Sequence, residues 1–272
     1  MTDILGKDIS ILKRKKLFLF DMDGTIYTEN MLFDGTLQLL GMIEKNGGNY
    51  VFITNNSSLS VNSYIDKLSS LGIQTNSDHF FTSTQAAIWM LKRDFPQKKI
   101  YCQGTEAMLN ELAGAGIKVT ADVEDDIGAV LIGFDTELTS EKLRRSCQVL
   151  GRDLPYYATN PDLRCPVLFG YIPDCGSICQ MLEHCTGKHP TFIGKPAPAM
   201  VNLVCNKFGR LKEETVVIGD RLYTDIALGI NAQVTSICVL TGEASLQSIQ
   251  SGDISPTFVF SSVKEIYFSL LS

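Results

Sequence analysis

An α/β fold on a mostly parallel sheet is predicted for this chain by three observations. Short apolar runs of strand length alternate with longer stretches of helix-compatible spacing. Glycines close several of the longer stretches. Polar or acidic residues sit where the apolar runs end. Strands buried on both faces of a parallel sheet read as continuous apolar runs, and their carboxyl ends form the usual ligand crevice. The predicted fold therefore also predicts where a site lies.

In chain order, "LFLF" at 17–20 reads as a buried strand and 36–48 as a helix closed by Gly47 and Gly48. Residues 49–56 read as the next strand, with Asn55 and Asn56 beyond its apolar part, and 60–72 as a helix stopped by Gly72. A helix over 83–96 has Ser or Thr available as its cap. The middle repeats the rhythm, with a strand at 98–104, a helix at 105–116 and strands at 117–120 and 127–134. A helix over 139–153 follows, capped by Thr139, and then a strand over 155–162 leading into a loop. The Pro-, Gly- and Cys-rich segment 161–176 reads as irregular, ahead of a short helix at 177–187. A second core-like block opens near 190–209, and 214–232 reads as strand, acidic loop and helix. Residues 235–242 and 257–271 complete the sheet and supply a final helix. The expected division is 1–82 as the first part of a core, 83–186 as an inserted α/β domain, and 187–272 as the second part of the core.

Composition narrows the function classes. A hydrophobic fraction of 44% is ample for substantial cores and argues against disorder. A formal charge of −6 argues against a nucleic-acid polymer as partner, because backbone binding needs concentrated Lys and Arg. No apolar run approaches the ~20 residues of a membrane span. The basic group Lys13 to Lys16 precedes only four clearly apolar residues, too few for a signal-peptide core. A cytoplasmic protein without a membrane partner is expected. The eight cysteines read as free buried thiols, since no CxxC pair accompanies Cys175, Cys179 and Cys185. His79, His184 and His189 belong to no HxH or HExxH pattern.

Four loops offer chemistry: "DMDGT" at 21–25, "TNN" at 54–56, "GKP" at 194–196 and "GDRLYTD" at 219–225. A lone Asp after a strand is commonly a turn or cap residue. Asp21, Asp23, Asp220 and Asp225 together form a more demanding pattern, because clustered carboxylates need a cation or proton to offset their repulsion, and oxygen ligands suit Mg²⁺. Asp21 is placed to attack phosphorus, and Asp23 to carry protons to the leaving group and from water. Lys195, restrained by Gly194, Pro196 and Pro198, supplies a fixed positive charge for a phosphoryl group and Asp21. The Thr54 hydroxyl and backbone N–H groups around Asn55, Asn56 and Met22, Gly24 and Thr25 are candidate donors to phosphoryl oxygens.

The motifs "LFDMDGTIY" (19–27), "FITNNSS" (52–58), "IGKPAPAM" (193–200) and "VIGDRLYTDIALG" (217–229), in this order, resemble the haloacid dehalogenase superfamily. The match is to its NagD-like, 4-nitrophenylphosphatase-like branch, and it extends over nearly the whole chain. The resemblance implies a Rossmann-like three-layer core with a large inserted α/β cap of the branch's own type (subclass IIA). It implies Asp21 as nucleophile and Asp23 as general acid/base, whose backbone carbonyl also binds Mg²⁺. Asp21 and Asp220 are then carboxylate ligands, Asp225 holds the metal's outer shell, Thr54 and Asn55 hold the phosphoryl group, and Lys195 bridges that group and Asp21. In addition, "YYATNPD" at 156–162 resembles the cap loop facing the core, which makes Asn160 and Asp162 candidates for substrate contact. The expected function is Mg²⁺-dependent hydrolysis of a small phosphorylated metabolite, such as a sugar phosphate or nucleotide, through an aspartyl-phosphate. Two alternatives are a phospho-acceptor signalling protein and a noncatalytic phosphometabolite-binding protein. Relatives in the branch include monomers and homo-oligomers, so a homo-oligomer stays open.

Overall fold

A computed structural model describes residues 1–167 and 169–271. The first stretch runs β1 (Leu17–Phe20), a hairpin of β2 (Tyr27–Thr28) and β3 (Met31–Leu32), α1 (Thr36–Lys45), β4 (Asn49–Thr54), α2 (Val61–Ser70) and β5 (Phe80–Thr82). The middle runs α3 (Ser83–Asp94), β6 (Lys99–Gln103), α4 (Glu106–Gly114), β7 (Lys118–Thr120), β8 (Ile127–Ile132), α5 (Ser140–Leu150) and β9 (Tyr156–Ala158). It continues with β10 (Arg164–Val167), β11 (Gly170–Pro173), α6 (Cys175–Thr186) and β12 (Thr191–Phe192). The last stretch runs α7 (Ala199–Phe208), β13 (Thr215–Gly219), α8 (Ala227–Ala232), β14 (Thr235–Val239), α9 (Leu246–Ser251), β15 (Phe258–Phe260) and α10 (Val263–Leu271).

The chain separates into two compact units. The first comprises Met1–Thr54, Ile65–Phe81 and Lys195–Ser272, and the second Asn55–Tyr64 and Thr82–Gly194. In the first, six strands take the order β15-β14-β13-β1-β4-β5. The β1–β13, β1–β4, β13–β14 and β14–β15 pairs are parallel. All four β1 residues are buried, as are Val216 to Ile218 of β13 and Tyr50 to Ile53 of β4. Burial on both faces is what the unbroken apolar runs require. Each such Leu, Val or Phe contributes about 1.5–3 kcal/mol by leaving water. Because β1 lies between β4 and β13, the strand order reverses at β1, and a sheet of this kind opens its ligand crevice beyond the carboxyl ends of the strands at such a point.

In the second unit five strands take the order β12-β9-β8-β6-β7, again with parallel pairs. Its apolar core includes Tyr101, Val130, Ile132, Phe134, Val149, Leu150 and Ile178. Helices α3, α4 and α5 are capped by the hydroxyls of Thr82, Thr105 and Thr139, each accepting a backbone N–H of the first turn. The second crossing between the units falls at Gly194/Lys195, later than 186/187, because β12 pairs with β9 and so extends this sheet. Residues 55–64 also group with the second unit rather than with the flanking 1–54.

Several short elements differ from the sequence expectation. The segment 161–176 is not simply irregular, for β10 and β11 form an antiparallel hairpin within it. Helix α6 begins at Cys175, two residues earlier than expected, because Asp174 accepts the Cys175 N–H and caps it. Strand β5, the β2–β3 hairpin and α9 are further additions. The cysteines form no disulfides, but Cys185 is exposed and Cys147 and Cys165 are half-buried, and only the other five are buried as expected. Among the described residues no helix is long and apolar enough to cross a membrane.

Candidate active site

The first unit brings Asp21, Thr54, Asp220, Asp225 and Lys195 to the carboxyl ends of its central strands. Asp21 follows Phe20 of β1, and its N–H bonds to the carbonyl of Ile218 on β13, 2.8 Å away. Thr54 is the last residue of β4 and is buried. Asp220 follows Gly219 of β13. Asp225 sits in a π-helical turn, Leu222–Ile226, that leads into α8; such turns recur at functional sites.

Lys195 joins these loops. Its buried Nζ donates to Asp21 Oδ1 at 2.5 Å, Asp225 Oδ1 at 2.7 Å and the Ile53 carbonyl at 3.3 Å. Asp225 Oδ2 accepts the Arg221 N–H at 3.1 Å, so both of its oxygens are engaged. Asp220 Oδ1 accepts the Thr25 hydroxyl at 3.3 Å, and Oδ2 the Glu243 N–H at 2.8 Å.

The "DMDGT" loop closes as a tight turn. Met22 carbonyl accepts the N–H groups of Thr25 and Ile26, while the Gly24 N–H bonds to the Tyr27 carbonyl at 2.8 Å. Gly24 takes φ of +85°, a region that favours glycine. The N–H groups of Gly24 and Thr25 are thus spent inside the turn, whereas those of Met22 and Asp23 have no partner among the described residues. The Asp23 side chain is about half exposed (49%). Its Oδ2 accepts the Tyr27 hydroxyl at 3.1 Å, and its Oδ1 lies 3.6 Å from Lys67 Nζ.

Asp21, Asp220 and Asp225 each place a carboxylate oxygen within 4.8 Å of the others. Burial, opposed by Lys195 and reinforced by Asp225 and Asp220, holds the Asp21 carboxyl well above the ordinary carboxylate range. Burial, with the Asp225 charge adding, pushes Asp220 up to about 6. Burial draws Lys195 and Arg221 down, but the surrounding carboxylates outweigh it and raise both. Three crowded carboxylates offering hard oxygen donors fit a divalent cation such as Mg²⁺, whose charge would offset their mutual repulsion.

The other predicted site residues belong to the second unit. Asn55 Nδ2 donates to Asp162 Oδ2 at 3.0 Å, and the Asn55 carbonyl accepts Asn160 Nδ2 at 2.8 Å and the Ser83 hydroxyl at 2.7 Å. Asn160 Oδ1 accepts the Asp162 N–H at 2.9 Å, and both residues are buried. Asn56 Oδ1 accepts the N–H and hydroxyl of Ser58, in a local turn. Asn160 and Asp162 therefore meet Asn55 rather than forming an open surface.

Local sequence pattern assigns no role to Tyr27, Lys67, Arg221, Gly242 or Glu243. Tyr27 closes "LFDMDGTIY" and Arg221 lies inside "GDRLYTD", so the neighbouring acids are the available signal for both. Gly242 follows a strand just ahead of an acid, but only the approach of a distant carboxylate gives it meaning.

Comparison with known proteins matches residues 18–118 to a haloacid dehalogenase-like hydrolase model and residues 192–266 to a HAD-hydrolase-like model. The acid sugar phosphatase of Staphylococcus epidermidis is 31% identical over 249 residues, covering 92% of this chain and 95% of that protein. This chain belongs to the haloacid dehalogenase-like hydrolases. The crystal structure of 4-nitrophenylphosphatase from Thermotoga maritima superposes with a TM-score of 0.91 at 36% identity, covering 96% of this chain and 99% of that one. Glycerol phosphate phosphatase from Mycobacterium tuberculosis, in complex with magnesium, gives 0.88 at 27% identity over 98% of this chain and 79% of that one. Within the family the chain falls in the NagD-like, 4-nitrophenylphosphatase-like branch, with the family's Rossmann-like fold. It is a phosphoric monoester hydrolase, which displaces the noncatalytic and signalling alternatives.

Proposed function

We propose that this member of the family is a Mg²⁺-dependent phosphatase acting through an aspartyl-phosphate on Asp21. The first unit is the catalytic core and the second the inserted, substrate-selecting cap. The observation that carries the reading is Lys195, whose buried Nζ pairs with Asp21 and Asp225 at 2.5 and 2.7 Å beside a third carboxylate, Asp220. A phosphatase needs a nucleophile fixed beside a positive charge that can also face the transferring oxygens.

Because Lys195 occupies Asp21 Oδ1, Oδ2 is the attacking oxygen. Attack forms the Asp21–phosphorus bond and breaks the bond to the leaving oxygen, which takes a proton from Asp23. A water oxygen then attacks phosphorus, its proton passes to Asp23, and the bond to Asp21 breaks to regenerate the carboxylate and release phosphate. Thr54 and the N–H groups of Met22 and Asp23 donate to the phosphoryl oxygens. Thr25 instead serves through its hydroxyl on Asp220, and Asn160 and Asp162 position Asn55. Asp21, Asp220 and the Asp23 carbonyl would hold Mg²⁺, with Asp225 behind them. When bound, Mg²⁺ supplies positive charge that offsets the carboxylates and the transferring phosphoryl oxygens. The names of the relatives favour sugar and polyol monophosphates over nucleotides as substrates.

The test is phosphate release across sugar phosphates, glycerol phosphate, nucleotides and pyridoxal phosphate, each with and without Mg²⁺, ranked by kcat/KM. Asp21→Asn should abolish both turnover and covalent phosphorylation. Normal turnover by that variant would sink the mechanism.

A further inference from the structure

We propose that Tyr27 and Lys67 are positioning residues for Asp23, the Tyr27 hydroxyl anchoring Oδ2 so that Oδ1 is the oxygen that exchanges the proton. This inference rests on the acid/base reading of Asp23 given above.

The two contacts on the Asp23 carboxylate are unequal. The Tyr27 hydroxyl donates a long hydrogen bond to Oδ2 at 3.1 Å, whereas Lys67 Nζ stands 3.6 Å from Oδ1, too far for one. The Tyr27 contact is therefore a fixed anchor, and the Lys67 contact a charge that leaves Oδ1 accessible. Tyr27 is built to stay in place. It is fully buried, pairs with Leu32 in the β2–β3 hairpin, and accepts the Gly24 N–H at 2.8 Å through its carbonyl. Lys67 Nζ also lies 4.1 Å from the centre of the Tyr27 ring, so one ammonium group faces both the phenol and the carboxylate.

Asp23 needs such support. Its side chain is half exposed, and it carries the proton only if the carboxylate stays aimed at the leaving oxygen. A misplacement of about 1 Å costs on the order of 10²-fold in rate. Half-exposed ion pairs add little to folding stability. The cluster's consequence therefore falls on the reaction rather than on the fold.

The test compares kcat/KM on 4-nitrophenyl phosphate, whose leaving group departs with little proton assistance, and on glycerol phosphate, whose alkoxide needs a proton. Wild type, Tyr27→Phe, Lys67→Met, Lys67→Arg and Asp23→Asn are measured at saturating Mg²⁺. Tyr27→Phe and Lys67→Met should each lose about tenfold on glycerol phosphate and less than about twofold on the nitrophenyl ester, a fraction of the 10²–10⁴ of general acid catalysis. Lys67→Arg should recover most of the loss, and Asp23→Asn should show the same skew more strongly. If Asp23→Asn shows the skew but Tyr27→Phe and Lys67→Met lose both substrates equally, or lose neither, the positioning role is overturned and the acid/base reading survives. If Asp23→Asn shows no skew, both fall together.

Discussion

A β-carbon built at Gly242 would lie 2.0 Å from Asp220 Oδ2, and one at Gly24 would lie 2.7 Å from the same atom. The carboxylate is thus confined between two backbones, with Thr25 and Glu243 holding its oxygens from other directions. Neither glycine tolerates a methyl group without moving Asp220. Overpacking of this kind costs about 1–3 kcal/mol, survivable for a protein of this size. Gly242→Ala should therefore fold yet displace the proposed metal ligand, raising the Mg²⁺ concentration for half-maximal turnover about tenfold, equivalent to ~1.4 kcal/mol of binding free energy. A magnesium titration of activity checks this, and an unchanged requirement would count against Asp220 as a ligand. Lys195→Met makes a harsher change. Removing the shared cation leaves Asp21 and Asp225 facing each other in a buried setting, and turnover should fall on the order of 10²–10³-fold, as when a preorganised donor is lost. Added Mg²⁺ should not restore it, since the ammonium that Asp21 and Asp225 share at 2.5 and 2.7 Å is gone.

Helix α4 carries a titrating group unrelated to the reaction. The Glu111 carboxylate accepts the N–H of Val61, the first residue of α2, while its Oε2 is buried with no hydrogen-bond partner among the described residues. Burial pushes this carboxyl up to about 7 from 4.5, with the Val61 N–H opposing. The folded state then binds a proton that the unfolded chain has released, so stability falls as pH rises from about 4.5 through about 7 and levels off above. Glu111→Gln keeps an acceptor for Val61 and removes the charge. Its Tm relative to wild type should rise between pH 5 and pH 8, by the equivalent of ~1–2 kcal/mol. A difference in Tm that stays flat over that interval would refute the assignment. The same scale separates what the sequence made legible from what it did not. Thr139 announced α5, and Gly47 and Gly48 marked the end of α1, because caps and stops act through the residue itself. The β10–β11 hairpin was hidden because Pro166, Gly170 and Pro173 read as loop punctuation, and because neither strand has a buried face. Strand β5, Phe80–Thr82, has three residues, too few to show a period of its own.

At the scale of the whole molecule, the candidate site draws on residues 21, 54, 195, 220 and 225, which meet only when β1, β4 and β13 are in register. The acids and the lysine were legible because each chemical group follows a strand or stands in a rigid Gly-Lys-Pro segment. Their partners were not: Tyr27, Arg221, Gly242 and Glu243 matter through distances that no local pattern encodes. That separation along the chain has a thermodynamic consequence. The unfolded chain does not hold the three carboxylates together, so any cation they bind favours the folded first unit by mass action, by about 2.7 kcal/mol at a hundredfold excess over Kd. Mg²⁺ should raise the Tm of the wild type progressively with its concentration, and EDTA should reverse the rise while also removing turnover. In Asp220→Asn the magnesium dependence of Tm should be much reduced, because one buried donor has lost its charge. Asn at this position also removes some of the repulsion that pushes Asp21 up, so the metal-free variant should match or exceed the metal-free wild type in Tm. That pair of signs, a gain without metal and a loss of response to it, distinguishes a cation-holding cluster from a merely structural one. A wild-type Tm indifferent to Mg²⁺ would rule the cluster out as the metal site.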